Sequence, residues 1–162
     1  MQDPRNQPSS LLIRKACKDD EAEILACLAA AFAPYRSEYT PDAFADTVMD
    51  AATIKRRIRE MRVIIAISKE QIVGTIGCGV NGEEGHLRGM AVLPRWQGTA
   101  LASLLLQAAE AEIRNAGCKY VTLDTTLPLQ RAIRFYQRHG FVASGRVSDF
   151  FGMQLFEYRK LL

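Results

Sequence analysis

The residues best suited to chemistry lie in one short run, Met90-Ala91-Val92-Leu93-Pro94-Arg95-Trp96-Gln97-Gly98-Thr99-Ala100. Apolar residues, then a proline, then small residues describe a strand that passes through a short loop into a helix. Small residues at a helix start let a ligand approach the backbone, and the unpaired N–H groups there favour an anion. A pyrophosphate suits that description. The spacing contains neither GxxxxGK[ST] nor GxGxxG, which excludes a Walker loop and a dinucleotide fingerprint. Upstream, regular alternation would set Glu84, His86, Arg88, Met90 and Val92 on one face of the strand entering the loop. His86 brings a group that titrates near neutrality, and Glu84 brings a carboxylate. Their plain alternative is that of solvated polar residues beside the Asn81-Gly82 turn.

Other reactive side chains carry less. Cys17, Cys27, Cys78 and Cys118 are far apart, with no CxxC and no histidines at metal spacing, so reduced thiols are expected and neither zinc nor disulfides. Lys55, Arg56, Arg57, Arg59 and Arg62 form a basic cluster that reads as the solvated face of a helix. A net charge of +3, from 21 basic and 18 acidic residues, does not single out nucleic acid as a partner.

The elements that must position these residues follow from pattern. Leu11 to Cys17 is a short strand, and Asp20 with Glu23 starts a helix whose apolar face is Ile24, Leu28, Ala31 and Phe32. After Pro41, the spacing of Phe44, Val48, Ala51, Ile54, Ile58 and Met61 predicts one amphipathic helix. Arg62 to Ser68 and Gln71 to Val80 read as a hairpin turning at Lys69-Glu70, with Gly85 to Leu93 as the next strand. Gly98 to Asn115 reads as a helix with Leu101, Leu104, Leu105, Ala108 and Ile113 as its stripe, closed by Gly117. Lys119 to Thr125 is a strand, Leu129 to His139 a helix, and the chain is extended from Phe141, ending in a strand over Met153 to Arg159. The 162 residues suit one domain, 48% hydrophobic and 24% charged, over 11–162, after a loose polar tail over 1–10. The longest apolar run, Ile24 to Ala33, has ten residues, and a bilayer needs roughly 20. No membrane partner and a cytoplasmic setting are therefore expected.

Two motifs in this order resemble the GNAT superfamily (GCN5-related N-acetyltransferases). Arg95-Trp96-Gln97-Gly98-Thr99-Ala100 is similar to its acetyl-CoA-binding pattern Gln/Arg-x-x-Gly-x-Gly/Ala. Ala132-Ile133-Arg134-Phe135-Tyr136-Gln137-Arg138-His139-Gly140-Phe141 is similar to its AIxFYxxxGF helix-to-strand motif. One helix and one strand separate them, as in the family, and the resemblance covers roughly residues 11 to 160. It implies an α/β (α+β) GNAT fold: a single mixed, mostly antiparallel sheet of about seven strands flanked by about four helices.

The resemblance also implies roles. The backbone of Met90, Ala91 and Val92, on a strand that splays from its neighbour, would bind the pantetheine arm. The amides of Arg95, Trp96, Gln97, Gly98, Thr99 and Ala100 would hold the pyrophosphate, and a strand amide such as that of Val92 the acyl oxygen. Tyr136 would sit near the thioester sulfur, where a phenol can protonate or hydrogen-bond a leaving thiolate. His86 stands where many members have a glutamate base, with Glu84 as the runner-up. Leu129 replaces an asparagine common three residues before the alanine matched by Ala132, which removes a polar contact. The expected reaction is direct transfer of an acetyl group from acetyl-CoA to a primary amine of a small molecule, amino acid or peptide N-terminus, in a homodimer without metal. Residues among Tyr35, Arg36, Glu38, Tyr39, Asp149, Phe150 and Phe151 would line the acceptor pocket. A non-catalytic CoA-binding sensor is the alternative, and a basic-surface nucleic-acid-binding protein a third reading.

Overall fold

β-branched runs pair first with their sequence neighbours. In the computed structural model, which describes residues 10–162, β1 (Leu11–Lys15), β2 (Arg62–Ser68), β3 (Gln71–Asn81) and β4 (Glu84–Val92) form consecutive antiparallel ladders. β5 (Tyr120–Thr125) joins β4 in parallel, and β7 (Met153–Leu161) lies between β5 and β6 (Val142–Phe150). The sheet order is β1-β2-β3-β4-β5-β7-β6, seven strands with only β4 and β5 parallel. Apart from Ser10, the tail expected over 1–10 lies outside the described residues.

Helices cover both faces of this sheet. α1 (Glu21–Phe32) packs on β3 and β4 with α3 (Ala51–Glu60) beside it, around Ile24, Leu28, Ile54, Val63 and Ile65. α4 (Leu101–Asn115) and α5 (Gln130–Arg138) pack on the opposite face, around Ile64, Val73, Leu105, Ile113, Val121 and Tyr136. α2 (Pro41–Val48) anchors a smaller cluster in which Tyr39, Ala43 and Phe44 meet Phe150 and Met153.

Three expectations are corrected. The single amphipathic helix over 44–61 is two, α2 and α3, because Met49 takes φ +62° and the Asp50 carboxylate accepts the Thr53 amide at 2.8 Å, capping a new helix. Among the described residues there are five α-helices, in keeping with the about four expected. α4 begins at Leu101, three residues later than expected, because Gly98 to Ala100 stay in a turn in which the Thr99 hydroxyl accepts the Leu101 amide. Its inward face is Leu101, Leu105, Leu106, Ala109 and Ile113, while Leu104 is 39% exposed.

Candidate functional site

The sheet opens at its centre. β4 and β5 pair only from Glu84↔Tyr120 to Leu87↔Leu123, yet β4 runs on to Val92. Beyond Leu87 the β4 backbone therefore has β3 on one side and a gap on the other. Leu93 N–H donates to Val73 on β3 at 2.9 Å. By strand alternation the N–H and C=O of Val92 then face the gap.

A bulge inside β4 changes what faces where. Gly77 pairs with Arg88, but Thr75 pairs with Ala91, so two residues of β3 are matched by three of β4. The extra residue is accommodated at Gly89, φ +60°, where a Cβ would come within 2.9 Å of Met49 Cε and 3.0 Å of Arg57 Nη1. The expected common face for Glu84, His86, Arg88, Met90 and Val92 therefore does not hold. Met90 and Val92 join the α4–α5 side, whereas His86 and Arg88 look toward α2 and α3.

On the loop side the gap widens into a hollow of about 210 Å³, bounded by Met90, Val92, Gln97, Gly98, Arg131 and Tyr136. Tyr136 is buried between Phe135 and Phe141, with ring centroids 5.4 and 5.6 Å away, and burial pushes its phenol pKa upward. Its O–H donates to Met90 Sδ at 3.2 Å, so a sulfur atom already accepts from it. Gly98 holds φ +79°, which a side chain rarely adopts. The amides of Trp96 and Gln97 are used inside the turn at 2.8 and 3.2 Å, and that of Thr99 at 3.4 Å. Among the described residues those of Arg95, Gly98 and Ala100 have no acceptor in the loop, and the first turn of α4 follows. Arg131 hangs over the same loop, its Nη2 3.2 Å from where a Gly98 Cβ would stand. The Gln97 side chain spans the mouth, donating to Val92 O at 3.1 Å and accepting from Arg131 at 3.4 Å. Backbone amides, two arginines (Arg131 and Arg138) and an apolar slot form a set that fits a pyrophosphate followed by a thioester arm.

On the other side lies a hollow of about 140 Å³. His86 Nδ1 is 2.7 Å from Thr122 Oγ1, and its Nε2 is 3.4 Å from Asp124 Oδ2. The Thr122 hydroxyl donates to the Glu84 carboxylate. Having one proton, that hydroxyl must accept from His86, which places a hydrogen on Nδ1 and makes Nε2 the basic nitrogen of the neutral ring. Tyr39 and Thr126 share a buried hydrogen bond of 2.7 Å across the hollow, and the Thr125 hydroxyl lies buried on its wall without a partner. Leu129 borders both hollows, an apolar post at the divide.

Of the residues expected to act, Met90, Ala91, Val92, Gln97, Gly98 and Tyr136 border the loop-side hollow. His86 borders the other, and Glu84 reaches it only through Thr122. Arg95 turns away to Gln71 and Trp96 packs against the core, so neither side chain lines a hollow. Of the expected acceptor residues, Tyr39 and Phe150 line the second hollow, Tyr35 lines the first, and Arg36 stacks over Phe44 at 4.5 Å. Sequence reasoning missed Arg131 and Arg138, although they share the i, i+4, i+7 face of Phe135. It also missed Arg57, whose place three residues after Ile54 sets it beside the apolar stripe rather than on the solvated face. The basic cluster is broken up accordingly: Arg57 turns inward and Arg62 pairs with Glu112 at 3.4 Å. Cys17 is exposed and the other three cysteines are buried, all as free thiols. Among the described residues, no helix is long and apolar enough to cross a membrane, and no three His, Cys, Asp or Glu side chains gather as for a metal.

The sequence model of the acetyltransferase (GNAT) family matches residues 9–141. The chain is 29% identical over 103 residues to an N-alpha-acetyltransferase, MAK3, of Arabidopsis thaliana, covering 60% of this chain and 54% of that one. It is 36% identical over 75 residues to an aminoglycoside N(6')-acetyltransferase type 1 of Stenotrophomonas maltophilia, covering 44% and 49%. The chain thus spans about half the length of these relatives. The fold is also that of the PaiA N-acetyltransferase of Thermoplasma acidophilum in complex with coenzyme A, with a TM-score of 0.80 at 17% identity over 94% of this chain and 99% of that one.

Proposed function

The chain belongs to the acetyltransferase (GNAT) family, and from that premise we propose that it moves an acetyl group from acetyl-CoA to a primary amine. The observation that carries this is the parted sheet. A phenol that donates to sulfur lies on one side of the opening and an oriented imidazole on the other. Acetyl-CoA, when bound, would supply an activated acyl carbon, and its CoA would depart as a thiolate that takes its proton from solvent. Amides of Gly98 and Ala100, with Arg131, hold its phosphates, and Met90 to Val92 line its arm. His86 Nε2 accepts the proton of the attacking amine, and Asp124 stabilises the resulting imidazolium. Glu84 acts through Thr122, as the acceptor that fixes the hydroxyl and hence the ring. The Val92 amide, aimed into the gap, meets the charge that builds on the acyl oxygen.

Tyr136 donates a hydrogen bond to the sulfur rather than giving up its proton outright. Its raised pKa makes full transfer to a thiolate uphill, since a thiol titrates at about 8.5. Direct attack with both reactants held in place would supply several kcal/mol of the acceleration. The direct test is thiol release and acetylated product, read by mass spectrometry, across a panel of amino acids, small amines and peptides with free N-termini. Turnover on any of these supports the reading. Tight acetyl-CoA binding without turnover on all of them points to a CoA-binding sensor.

We also propose that residues 11–162 act as one domain in the cytoplasm, as a homodimer that binds no nucleic acid. Edge strand β6 exposes Val142 at 66% and Val147 at 48%, which supports pairing at that edge.

A further inference from the structure

The hollow on the α2–α3 side contains charges that the transfer reaction does not require. Arg57 comes from α3 and Arg88 from β4, and both line it. Arg57 is half-buried, with Nη1 against Gly89 at the bulge. Among the described residues, neither guanidinium lies within 4.0 Å of a carboxylate. Asp46 borders the same hollow and attracts Arg57 from further off, but burial, and then repulsion from Arg88, outweigh it and push the Arg57 pKa down. An arginine stays charged regardless. Two neighbouring cations, neither in contact with a carboxylate and one of them partly desolvated, form a site that an oxyanion would relieve.

Another part of the lining has the other sign. Asp124 stands beside His86, on the side of the hollow where an ammonium would be held. The hollow offers about 140 Å³, room for an amino-acid-sized head group.

We infer that this hollow takes a small acceptor bearing a carboxylate or phosphonate next to its primary amine, the anion held by Arg57 and Arg88 and the amine presented to His86. The inference rests on the acetyltransferase reading and names its acceptor class. Each of the nineteen amino acids with a primary amine and 1-aminoethylphosphonate would be titrated by calorimetry into CoA-saturated protein, with the amide of each amino acid and isopropylamine as counterparts that keep the amine and lack the anion. The acid of the favoured pair should bind at least tenfold tighter than its amide, and the phosphonate tighter than isopropylamine if its larger anion is also accepted. Arg88→Gln, at an exposed position that leaves folding intact, and Arg57→Gln should each remove that preference while the affinity for CoA stays within twofold. Amides binding as tightly as acids, binding of neither, or a preference that survives both substitutions overturns the inference. Should amines that lack the anion be acetylated under those outcomes, the acetyltransferase reading stands alone. Absence of CoA binding would remove both.

Discussion

The two hollows that meet at β4 are built in opposite ways. The loop side is made largely of backbone: the amides of Gly98 and Ala100, the gap-facing groups of Val92, and one buried phenol. The α2–α3 side is made of side chains, with His86, Asp124, Thr125, Arg57, Arg88 and Tyr39 brought together from separate elements. A backbone site needs only small residues at fixed spacing, and it tolerates variation in what surrounds it. A side-chain site is set by each residue that enters it. The first can therefore stay constant while the second changes acceptor, and one residue of bulge at Gly89 keeps the two on separate faces of the same strand.

This contrast predicts where substitutions act. Removing the base, His86→Ala, should lower kcat by about 10³-fold with acetyl-CoA affinity unchanged; stopped-assay rates and calorimetry would show it, and a loss in cofactor affinity instead would place His86 on the wrong side. Tyr136→Phe deletes a hydrogen bond to developing negative charge, worth roughly 1.5–3 kcal/mol, so kcat should fall about 10- to 100-fold. Its packing against Phe135 and Phe141 remains, so the melting temperature should scarcely move.

Thr125→Val separates stability from activity. It removes a buried hydroxyl that has no partner among the described residues, so denaturant unfolding should show a gain of about 1 kcal/mol while kcat/KM stays within twofold. A fall in kcat/KM without a loss of stability would mean that the hydroxyl takes part in the site.

The smallest effect lies outside both hollows. Asp20 accepts two bonds from Arg14, at 2.8 and 3.0 Å, and the Cys17 amide at 2.8 Å. The Arg14 bond first, and then that amide, hold its carboxyl at about 2 against the burial that opposes them. A depressed folded pKa contributes stability above the unfolded value near 4, lost as pH falls through about 2. Asp20→Asn should therefore cost roughly 1 kcal/mol at pH 7 and almost nothing near pH 2, with acetylation rates unaffected.

The same division governs what could be read from the sequence. Met90 to Ala100 and Ala132 to Phe141 were legible because each motif encodes a local backbone path, and the sheet followed from β-branched runs between turn residues. The face of His86 was not legible, since alternation assumes a regular strand and a single glycine does not announce a bulge. Arg57 was counted with its basic neighbours, although its spacing from Ile54 and Ile58 already set it apart. Thr122, Thr125 and Asp124 had no signal at all, because their importance comes from β4 and β5 being parallel neighbours some 36 residues apart in the chain.

The central claim, that the loop side binds acetyl-CoA through its backbone, is tested most directly by thermal unfolding with and without the cofactor, in wild type and in Gly98→Glu. At a hundredfold excess over Kd the ligand adds about 2.7 kcal/mol, which raises the melting temperature of a chain this size by roughly 5–10 °C. The variant places a carboxylate at a left-handed position beneath Arg131, where the phosphates would bind. The account predicts a clear shift in wild type and none in a variant that still unfolds cooperatively. No shift in wild type at millimolar acetyl-CoA, or an equal shift in both proteins, would contradict it.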